Sequence, residues 1–363
     1  TTLFRSIPDV ALRLDNITYT PVIGRDDFNY LVAPEDVPGW PIVVLKENER
    51  VVSSLDDSYS SLDTRIIDAD GTLDYKFLDN NFDPILQIHN RLRALEVTGH
   101  KIEKNDVRII GWTWSVYPKK YRDEFIKWIY DAFNTYDEMK KFIEETDLST
   151  DKFASFKIKQ WYELKKSSSL EEAKKLNETS RLRVIWIAIE TRPDWVTPEE
   201  IKSLREYWVT RVEIWYQTTI DEINELNKRW HWNAESTKAT KLLKEAWFKV
   251  VAHMMPNLLG SNPELDKKAL KEVFDNQMFR PDELKIYPMV VTDKAELTDI
   301  WKNWWFKPYD DETLINLTAD LEEMIPEYVR LNRTYRDIPA SEILAWSHVS
   351  NLRQIVEEKL NKK

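Results

Sequence analysis

The sequence predicts an α/β fold of the TIM-barrel type, a partial or full β/α barrel. From about residue 83 onward, amphipathic helices alternate with short runs rich in β-branched residues. Repeating strand–helix units give parallel strands joined by right-handed crossovers. About six such units occur without a glycine-rich phosphate loop, and this favours a barrel over a doubly wound sheet.

The predicted barrel elements follow one another along the chain. Strands are predicted over 107–111, 183–190, 211–217, 248–254, 284–291 and 328–335. Helices are predicted over 84–97, 119–133, 198–207, 234–246, 267–276, 295–303, 311–324 and 350–360. The near-continuous apolar run RVIWIAIE (183–190) is typical of a strand that is buried on both faces.

Two segments read differently from the barrel. Residues 137–180 are polar and helical, and we expect them to form an excursion from the main fold. Residues 1–75 contain short strands such as PIVVLK (41–46) and polar turns. The predicted domains are therefore a divergent N-terminal segment over 1–75 and the barrel over 76–363.

Composition limits the classes of function. No apolar run reaches the ~18 residues of a membrane span, and the N-terminus lacks a signal-peptide core, so a cytoplasmic protein without a membrane partner is expected. The chain has no cysteine, which excludes disulfides and thiolate metal sites within it. A net charge of −11 disfavours a nucleic-acid partner without excluding one. The lysine-rich stretch 157–175 is compatible with a solvated helix face or with a nucleic-acid contact.

Glycine is scarce and tryptophan abundant. Average usage predicts about 25 glycines in a chain of this length, whereas 6 are present beside 16 tryptophans. Trp208, Trp247 and Trp304 stand where predicted helices must stop before the next element. Such stops favour glycine, because the residue there adopts a left-handed conformation that penalises a Cβ.

The tryptophans fall into two classes. Trp114, Trp128, Trp195 and Trp301 are interpreted as ordinary packing residues, and Trp232 and Trp305 are left open. We interpret the following as replacements for glycine: Trp112, Trp186, Trp208, Trp215, Trp230, Trp247, Trp304 and Trp346. The hypothesis is that these codons are UGA and that the source cell reads UGA as glycine.

With glycine restored, a series of motifs becomes recognisable. They are FDPILQIHNRLRALEVTGH (82–100), GGTWSVYP (111–118), GIAIETRPD (186–194), TRVEIGYQ (210–217), KRGH (228–231), AGFKVVAHMMPNLLGS (246–261), FRPDELKIYPMVV (279–291), RDIP (336–339) and NLR (351–353). The series closely resembles the radical-SAM domain of the Elongator catalytic subunit and its bacterial and archaeal relatives. The resemblance covers residues 82–360.

The resemblance implies a chemistry that composition and periodicity do not show. The family modifies carbon 5 of the wobble uridine of tRNA, using a radical-SAM barrel with a [4Fe–4S] cluster and S-adenosylmethionine. An acetyl-CoA-binding domain works beside the barrel. The implied partners are tRNA, other Elongator-type subunits or a second copy of the chain.

Barrel enzymes carry their chemistry at the carboxyl ends of strands. The resemblance places cofactor-binding residues there. They are Gly111, Trp112, Thr113 and Trp114, then Glu190 and Arg192, then Glu213 and Gln217. For the last four, a structural role is an equal alternative. A tryptophan at 112 would obstruct the close backbone approach that paired glycines allow.

Catalytic candidates lie on the later strands. Lys285 and Tyr287 are two residues apart and point the same way. His253 ends a strand and is either substrate-facing or a core histidine. A whole helix separates it from His231, so the two are not a short-spaced metal pair, and no metal ligands are predicted. Arg333, Arg336 and Asp337 are expected to touch RNA phosphate or to brace a domain interface.

The sequence also departs from the family. The family's cluster is held by three cysteines upstream of the FDP motif, and residues 1–81 contain none and no recognisable first strand. The family's acetyltransferase domain would begin at about Lys363, so no acetyl-CoA site is expected here. Two functions therefore stay open: a tRNA-modifying radical-SAM enzyme, and a degenerate barrel that binds tRNA or protein without a cluster.

Overall fold

A computed structural model describes residues 20–23, 29–32, 44–45, 51–52, 84–109, 113–146, 154–292, 296–303, 305–335, 343–345 and 352–361. The predicted domain boundary after residue 75 lies outside these residues. So do several sequence-predicted positions: Gly111, Trp112, Trp304, Arg336, Asp337 and Trp346.

The described elements are twelve strands and twelve α-helices, numbered in chain order. Strands β1 to β12 are Thr20–Ile23, Asn29–Val32, Val44–Leu45, Val51–Val52, Lys104–Ile109, Arg183–Thr191, Arg211–Gln217, Lys249–Met254, Glu283–Ile286, Val291–Thr292, Arg330–Arg333 and Ile343–Ala345. Helices α1 to α12 are Pro84–Val97, Lys119–Asn134, Tyr136–Glu145, Ala154–Lys165, Leu170–Thr179, Pro198–Glu206, Asp221–Leu226, Asn233–Glu245, Pro263–Asp275, Leu297–Lys302, Asp311–Glu323 and Leu352–Leu360. Along these residues no helix is both long enough and apolar enough to cross a bilayer.

The main sheet has six strands in the order β11-β9-β8-β7-β6-β5. The pairs β6–β7, β7–β8, β8–β9 and β9–β11 are all parallel. Three small antiparallel pairs accompany it, β1–β2, β3–β4 and β10–β12. The predicted β/α barrel is confirmed in its partial form. The sheet runs from β11 at one edge to β5 at the other and does not close on itself.

Most predicted elements are present, and the differences have local causes. The expected strand over 284–291 is two short strands, β9 and β10, because Pro288 cannot donate to a ladder. Helix α9 begins at Pro263 instead of 267, because the Asn262 side chain caps it by accepting from the Leu265 N–H at 3.0 Å. Helix α7 was not predicted from its short sequence.

The chain divides into two compact units. One contains Arg108–Val116 and the residues from Ile187 onward, and the other contains the residues up to Val107 together with Tyr117–Trp186. In the first unit, Val212, Ile214 and Tyr216 of β7 are fully buried. The Tyr216 ring lies 5.2 Å from that of Phe279. One face of the sheet is therefore apolar and packed.

The second unit has a core built by its helices. Residues from α1, α2, α3 and α4 form one apolar cluster: Ile85, Leu86, Tyr121, Trp128, Ala132, Met139, Ile158 and Tyr162. The predicted polar excursion over 137–180 therefore contributes to this core through Met139, Ile158 and Tyr162. The core position of Trp128 confirms its interpretation as a packing residue.

In the part of the chain that the structure describes, two helices are followed by a tryptophan at the position where glycine is expected. After α6, Trp208 has φ +61°, its N–H donates to Arg205 O at 3.0 Å, and the next N–H donates to Leu204 O at 3.0 Å. After α8, Trp247 has φ +62° and the same pair of bonds. Gly99 ends α1 in this geometry at φ +83°. The pattern is the Schellman motif, in which glycine avoids a steric penalty.

Trp230 also lies in the left-handed region, with φ +56°. The expectation of glycine-type backbone is thus confirmed at Trp208, Trp230 and Trp247. Trp186 and Trp215 lie within strands and do not have positive φ. Of the residues interpreted as packing, Trp114 is buried, whereas Trp195 is 38% exposed.

Candidate functional site

A row of polar side chains lies on the face of the sheet opposite the apolar one. Along β7, Glu213 and Trp215 alternate with Val212, Ile214 and Tyr216, so they point to the other side. The register sets Glu190 beside Glu213, and Trp215 beside His253 and then Lys285. Four strands therefore direct their functional side chains to one place.

Glu213 is the centre of this group. Its Oε2 atom accepts from Nε2 of His253 at 2.7 Å and from the ammonium of Lys285. Its Oε1 atom is buried and has no hydrogen-bond partner among the described residues. Because all three side chains are at most 5% exposed, these contacts are shielded from water.

Glu190 lies beside this group. Its Oε1 atom accepts from the indole N–H of Trp215 at 2.5 Å and lies 3.6 Å from Nδ1 of His253. The His253 imidazole therefore stands between two carboxylates. Glu190, like Glu213, is almost fully buried.

The charges of the cluster act on Glu213 in opposite directions. Burial raises the pKa of this carboxyl, but the hydrogen bond and charge of His253 and the ammonium of Lys285 outweigh burial and lower the pKa from 4.5 to about 2. Glu213 is therefore ionised across the physiological range.

Tyr287 extends the cluster beyond the end of β9. Its ring centroid lies 5.5 Å from that of His253, and the Lys285 ammonium lies 5.8 Å from the ring. The Tyr287 N–H donates to Met254 O at 2.8 Å, which fixes the backbone at this point. The three predicted catalytic residues are thus brought together.

The same cluster offers metal-type ligands. Among the described residues, Glu190, Glu213 and His253 place one ligand atom each within 4.8 Å of one another. Two carboxylate oxygens and an imidazole nitrogen suit a divalent ion such as Zn²⁺. The ammonium of Lys285 already occupies the cation position on Oε2 of Glu213, so a metal would have to displace it.

Thr113 directly precedes a short 3-10 helix, Trp114–Val116, which lies beside the end of β6. Ser115 Oγ is 2.9 Å from Thr191 Oγ1 and donates to Glu200 Oε1 at 2.8 Å. Thr113 is buried, and its hydroxyl has no hydrogen-bond partner within the part of the chain that the structure describes. Trp114 packs edge-on against Tyr207 at 6.3 Å, which is a packing arrangement.

Gln217 and Arg192 differ in where they lie. Gln217 continues the row of polar side chains on β7 and is buried at φ +65°. No described residue is a hydrogen-bond partner of its Oε1 atom. Arg192 is outside the cluster, where its Nε donates to Asp194 at 2.9 Å and its guanidinium lies 5.7 Å from the Trp230 ring. The structure thus joins Glu190, Glu213, His253, Lys285 and Tyr287, and leaves Arg192 apart.

Two features escaped prediction from the sequence. One is the contact of Trp215 with Glu190, because interpreting Trp215 as a replacement for glycine predicts no partner for its indole. The other is a buried carboxylate, Asp266, which accepts from Asn257 N at 2.9 Å, Ser261 Oγ at 2.5 Å and Tyr309 OH at 2.8 Å. The run PNLLGSNPELD carried this signal, because it places turn-forming residues between a strand and a capped helix.

Comparisons with known proteins agree with the fold. Residues 160–272 match the family model Radical SAM superfamily, and residues 281–362 match the Radical_SAM C-terminal domain. The tRNA uridine(34) acetyltransferase of Methanocaldococcus infernus is 38% identical over 283 residues, 78% of this chain and 48% of that protein. Elongator complex protein 3 of Homo sapiens is 31% identical over 274 residues, 76% of this chain and 45% of that protein.

A solved structure gives the same result. The archaeal Methanocaldococcus infernus Elp3 with an N-terminal deletion superimposes with a TM-score of 0.68 at 38% identity, covering 78% of this chain and 59% of that chain. The chain spans about half the length of the curated relatives that it matches.

Proposed function

Because this chain belongs to the radical SAM superfamily and carries its C-terminal domain, we propose that it is the barrel part of a protein that modifies carbon 5 of the tRNA wobble uridine. The observation that carries the proposal is the buried Glu190–Glu213–His253–Lys285 cluster at the carboxyl ends of the parallel strands. Ligands bind at that edge in barrel folds. Similarity to tRNA uridine(34) acetyltransferases supports the choice of substrate.

The family implies a [4Fe–4S] cluster, which would supply the electron that cleaves S-adenosylmethionine. Such clusters are held by cysteine thiolates, and this chain has no cysteine. Its residues therefore do not fit the cluster.

S-adenosylmethionine itself fits the chemistry of the interior better than the cluster does. Buried carboxylates accept from amino and hydroxyl groups, and Glu213 Oε1 and Gln217 Oε1 have no hydrogen-bond partner in the described ranges. We propose that Glu190, Glu213 and Gln217, together with Thr113, contact this ligand. Gly111, Trp112, Trp114 and Arg192 remain proposed contacts by resemblance.

The cationic side of the cluster suits the uridine. Lys285 is held on Glu213 with its ammonium turned to the interior, and an ammonium has three donors. We propose that Lys285 donates to a carbonyl oxygen of a uracil that is flipped out of the anticodon loop, as enzymes acting on bases require. Tyr287 would stack against the base, and His253, between two carboxylates, would hold or pass a proton at its ring nitrogens.

The proposal is tested by tRNA binding. Two transcripts that differ only in base 34, uridine or cytidine, are compared by mobility shift with the parent chain and with K285A. Uracil offers two carbonyl acceptors and cytosine one, so the parent should prefer uridine, and K285A should lose the preference while keeping its binding to the rest of the tRNA. Equal binding of both transcripts by the parent would contradict the proposal.

A degenerate barrel that binds tRNA without radical chemistry is the second candidate, and the lack of cysteine favours it. Anaerobic iron–sulfur reconstitution separates the two. Visible cluster absorbance with cleavage of S-adenosylmethionine would support the enzyme. Uridine-selective binding without either signal would support the binding role. Elongator-type subunits or a second copy of this chain are proposed as further partners.

A further inference from the structure

Trp215 stands in the middle of the functional side chains. It is 6% exposed, its indole N–H donates to Glu190 at 2.5 Å, and His253 is its neighbour in register on β8. The side chains on either side of it along β7, Ile214 and Tyr216, point to the apolar face and are fully buried there. The indole therefore takes up space in the polar interior of the sheet, next to the residues assigned to ligand binding.

The surroundings of Trp215 differ from those of the other buried tryptophans. Trp128 lies in an apolar helix cluster, and Trp114 packs against the Tyr207 ring. Trp215 instead meets a buried carboxylate and lies beside an imidazole. A flat ring with one N–H donor, placed among charged groups, has the contacts that a bound heterocycle makes in a polar site.

We propose that the side chain at position 215 is the specificity-determining gate of the interior site, and that the Trp215 indole occupies the place of a planar, N–H-bearing ring ligand. With glycine at 215, the site is open to such a ligand. The identity of the ligand rests on the proposed function. The position of the indole in the polar interior rests on the contacts of Trp215 alone.

The physical consequences of removing the indole follow from its contacts. Replacing Trp by Gly leaves a cavity on the order of 150 Å³, a size that binds single aromatic rings in other proteins. Glu190 Oε1 loses its 2.5 Å indole donor while it stays buried and keeps the 3.6 Å contact with Nδ1 of His253. Loss of a hydrogen-bond donor from a buried carboxylate is unfavourable, so the opened site should prefer a ring that carries an N–H over one that does not.

Indole and benzofuran form the matched pair of probes, because they share a shape and only indole has an N–H. Binding to W215G is measured by isothermal titration calorimetry. The expected result is indole binding at least about tenfold tighter than benzofuran, the ratio that one hydrogen bond to a charged group supplies. The parent chain and W208G, which removes a tryptophan outside the site, should bind neither probe.

The W215A variant and a measurement of the unfolding temperature test the same proposal without depending on the folding of W215G. If W215G is poorly folded, an indole-dependent rise in the unfolding temperature of W215A supports the gate. Absence of indole binding in both variants, or equal binding of indole and benzofuran, overturns it. S-adenosylhomocysteine is the third probe. Indole binding without S-adenosylhomocysteine binding would keep the gate and contradict the proposed ligand instead.

Discussion

The carboxylate of Glu213 lies 2.7 Å from Nε2 of His253 and accepts on the same oxygen from Lys285. One buried anion therefore links β7, β8 and β9 at the end where their functional side chains gather. Because the contacts are shielded from water, the protonation of Glu213 and the presence of Lys285 should both be visible in the stability of the fold.

Acid should remove the contribution of Glu213. Its pKa in the folded protein is about 2, below 4.5, so its charge stabilises the fold above pH 4.5 and this stabilisation is lost as the pH falls towards 2. The difference amounts to roughly 3 kcal/mol. Urea unfolding at a series of pH values should show a shallower acid decline for E213Q than for the parent. Parallel plots of unfolding free energy against pH for the two proteins would refute the lowered pKa of Glu213.

Lys285 and Glu213 should be strongly coupled. Removing one partner of a buried pair leaves an uncompensated charge, which costs about 3–5 kcal/mol. We expect K285M to destabilise by that order, and the E213Q/K285M double variant to lose less than the sum of the single losses. The exposed Lys271–Asp275 pair is the control, and K271M should change stability by less than about 1 kcal/mol. Additive losses at 213 and 285 would contradict the coupling.

Glycine at position 247 should stabilise the chain. Trp247 is 87% exposed at φ +62°, so its side chain gains little from burial while its Cβ costs about 1 kcal/mol. W247G should raise the free energy of unfolding by about that amount. W195G, in a segment without positive φ, should not. G99A should lower it, because Gly99 has the same helix-end geometry.

His89 should make the second unit sensitive to mild acid. Burial, with the charges of Arg93 and Lys140, lowers its pKa from 6.5 to about 4. The folded state keeps the ring neutral, so full stability is present above pH 6.5 and falls as the pH drops towards 4. H89F retains a ring against Tyr136 and cannot titrate. The unfolding free energy of H89F should change less with pH between 6.5 and 4 than that of the parent. An equal slope in the two proteins would contradict the role of His89 in the acid sensitivity.

The tryptophan hypothesis has a direct molecular test. Codons at Trp112, Trp186, Trp208, Trp215, Trp230, Trp247, Trp304 and Trp346 should be UGA, and peptide mass spectrometry of the protein from its own cell should find glycine. UGG at these eight positions would overturn it. Trp114 and Trp128 are the internal controls and should be tryptophan by both measurements.

The sequence predicted the parts of the fold that depend on local pattern. The bounds of α1 and β7 agree with the periodic runs, and inward pointing of Glu213 and Lys285 followed from strand alternation. Pairing of His253 with Glu213 depends on the register between neighbouring strands, which no local pattern determines. Arg192 shows what a motif match alone leaves undetermined. The motif gives its position at the end of β6, whereas the direction of its side chain depends on its pairing with Asp194.

The three tryptophans with positive φ also affect the solubility expected of the purified protein. Trp208, Trp230 and Trp247 are 41%, 64% and 87% exposed, and exposed apolar surface promotes self-association. Material made in a host that inserts tryptophan at these codons would carry indoles that the glycine form lacks. Any tendency of that material to precipitate would then come from the choice of expression host. It would not be a property of the glycine form of the protein.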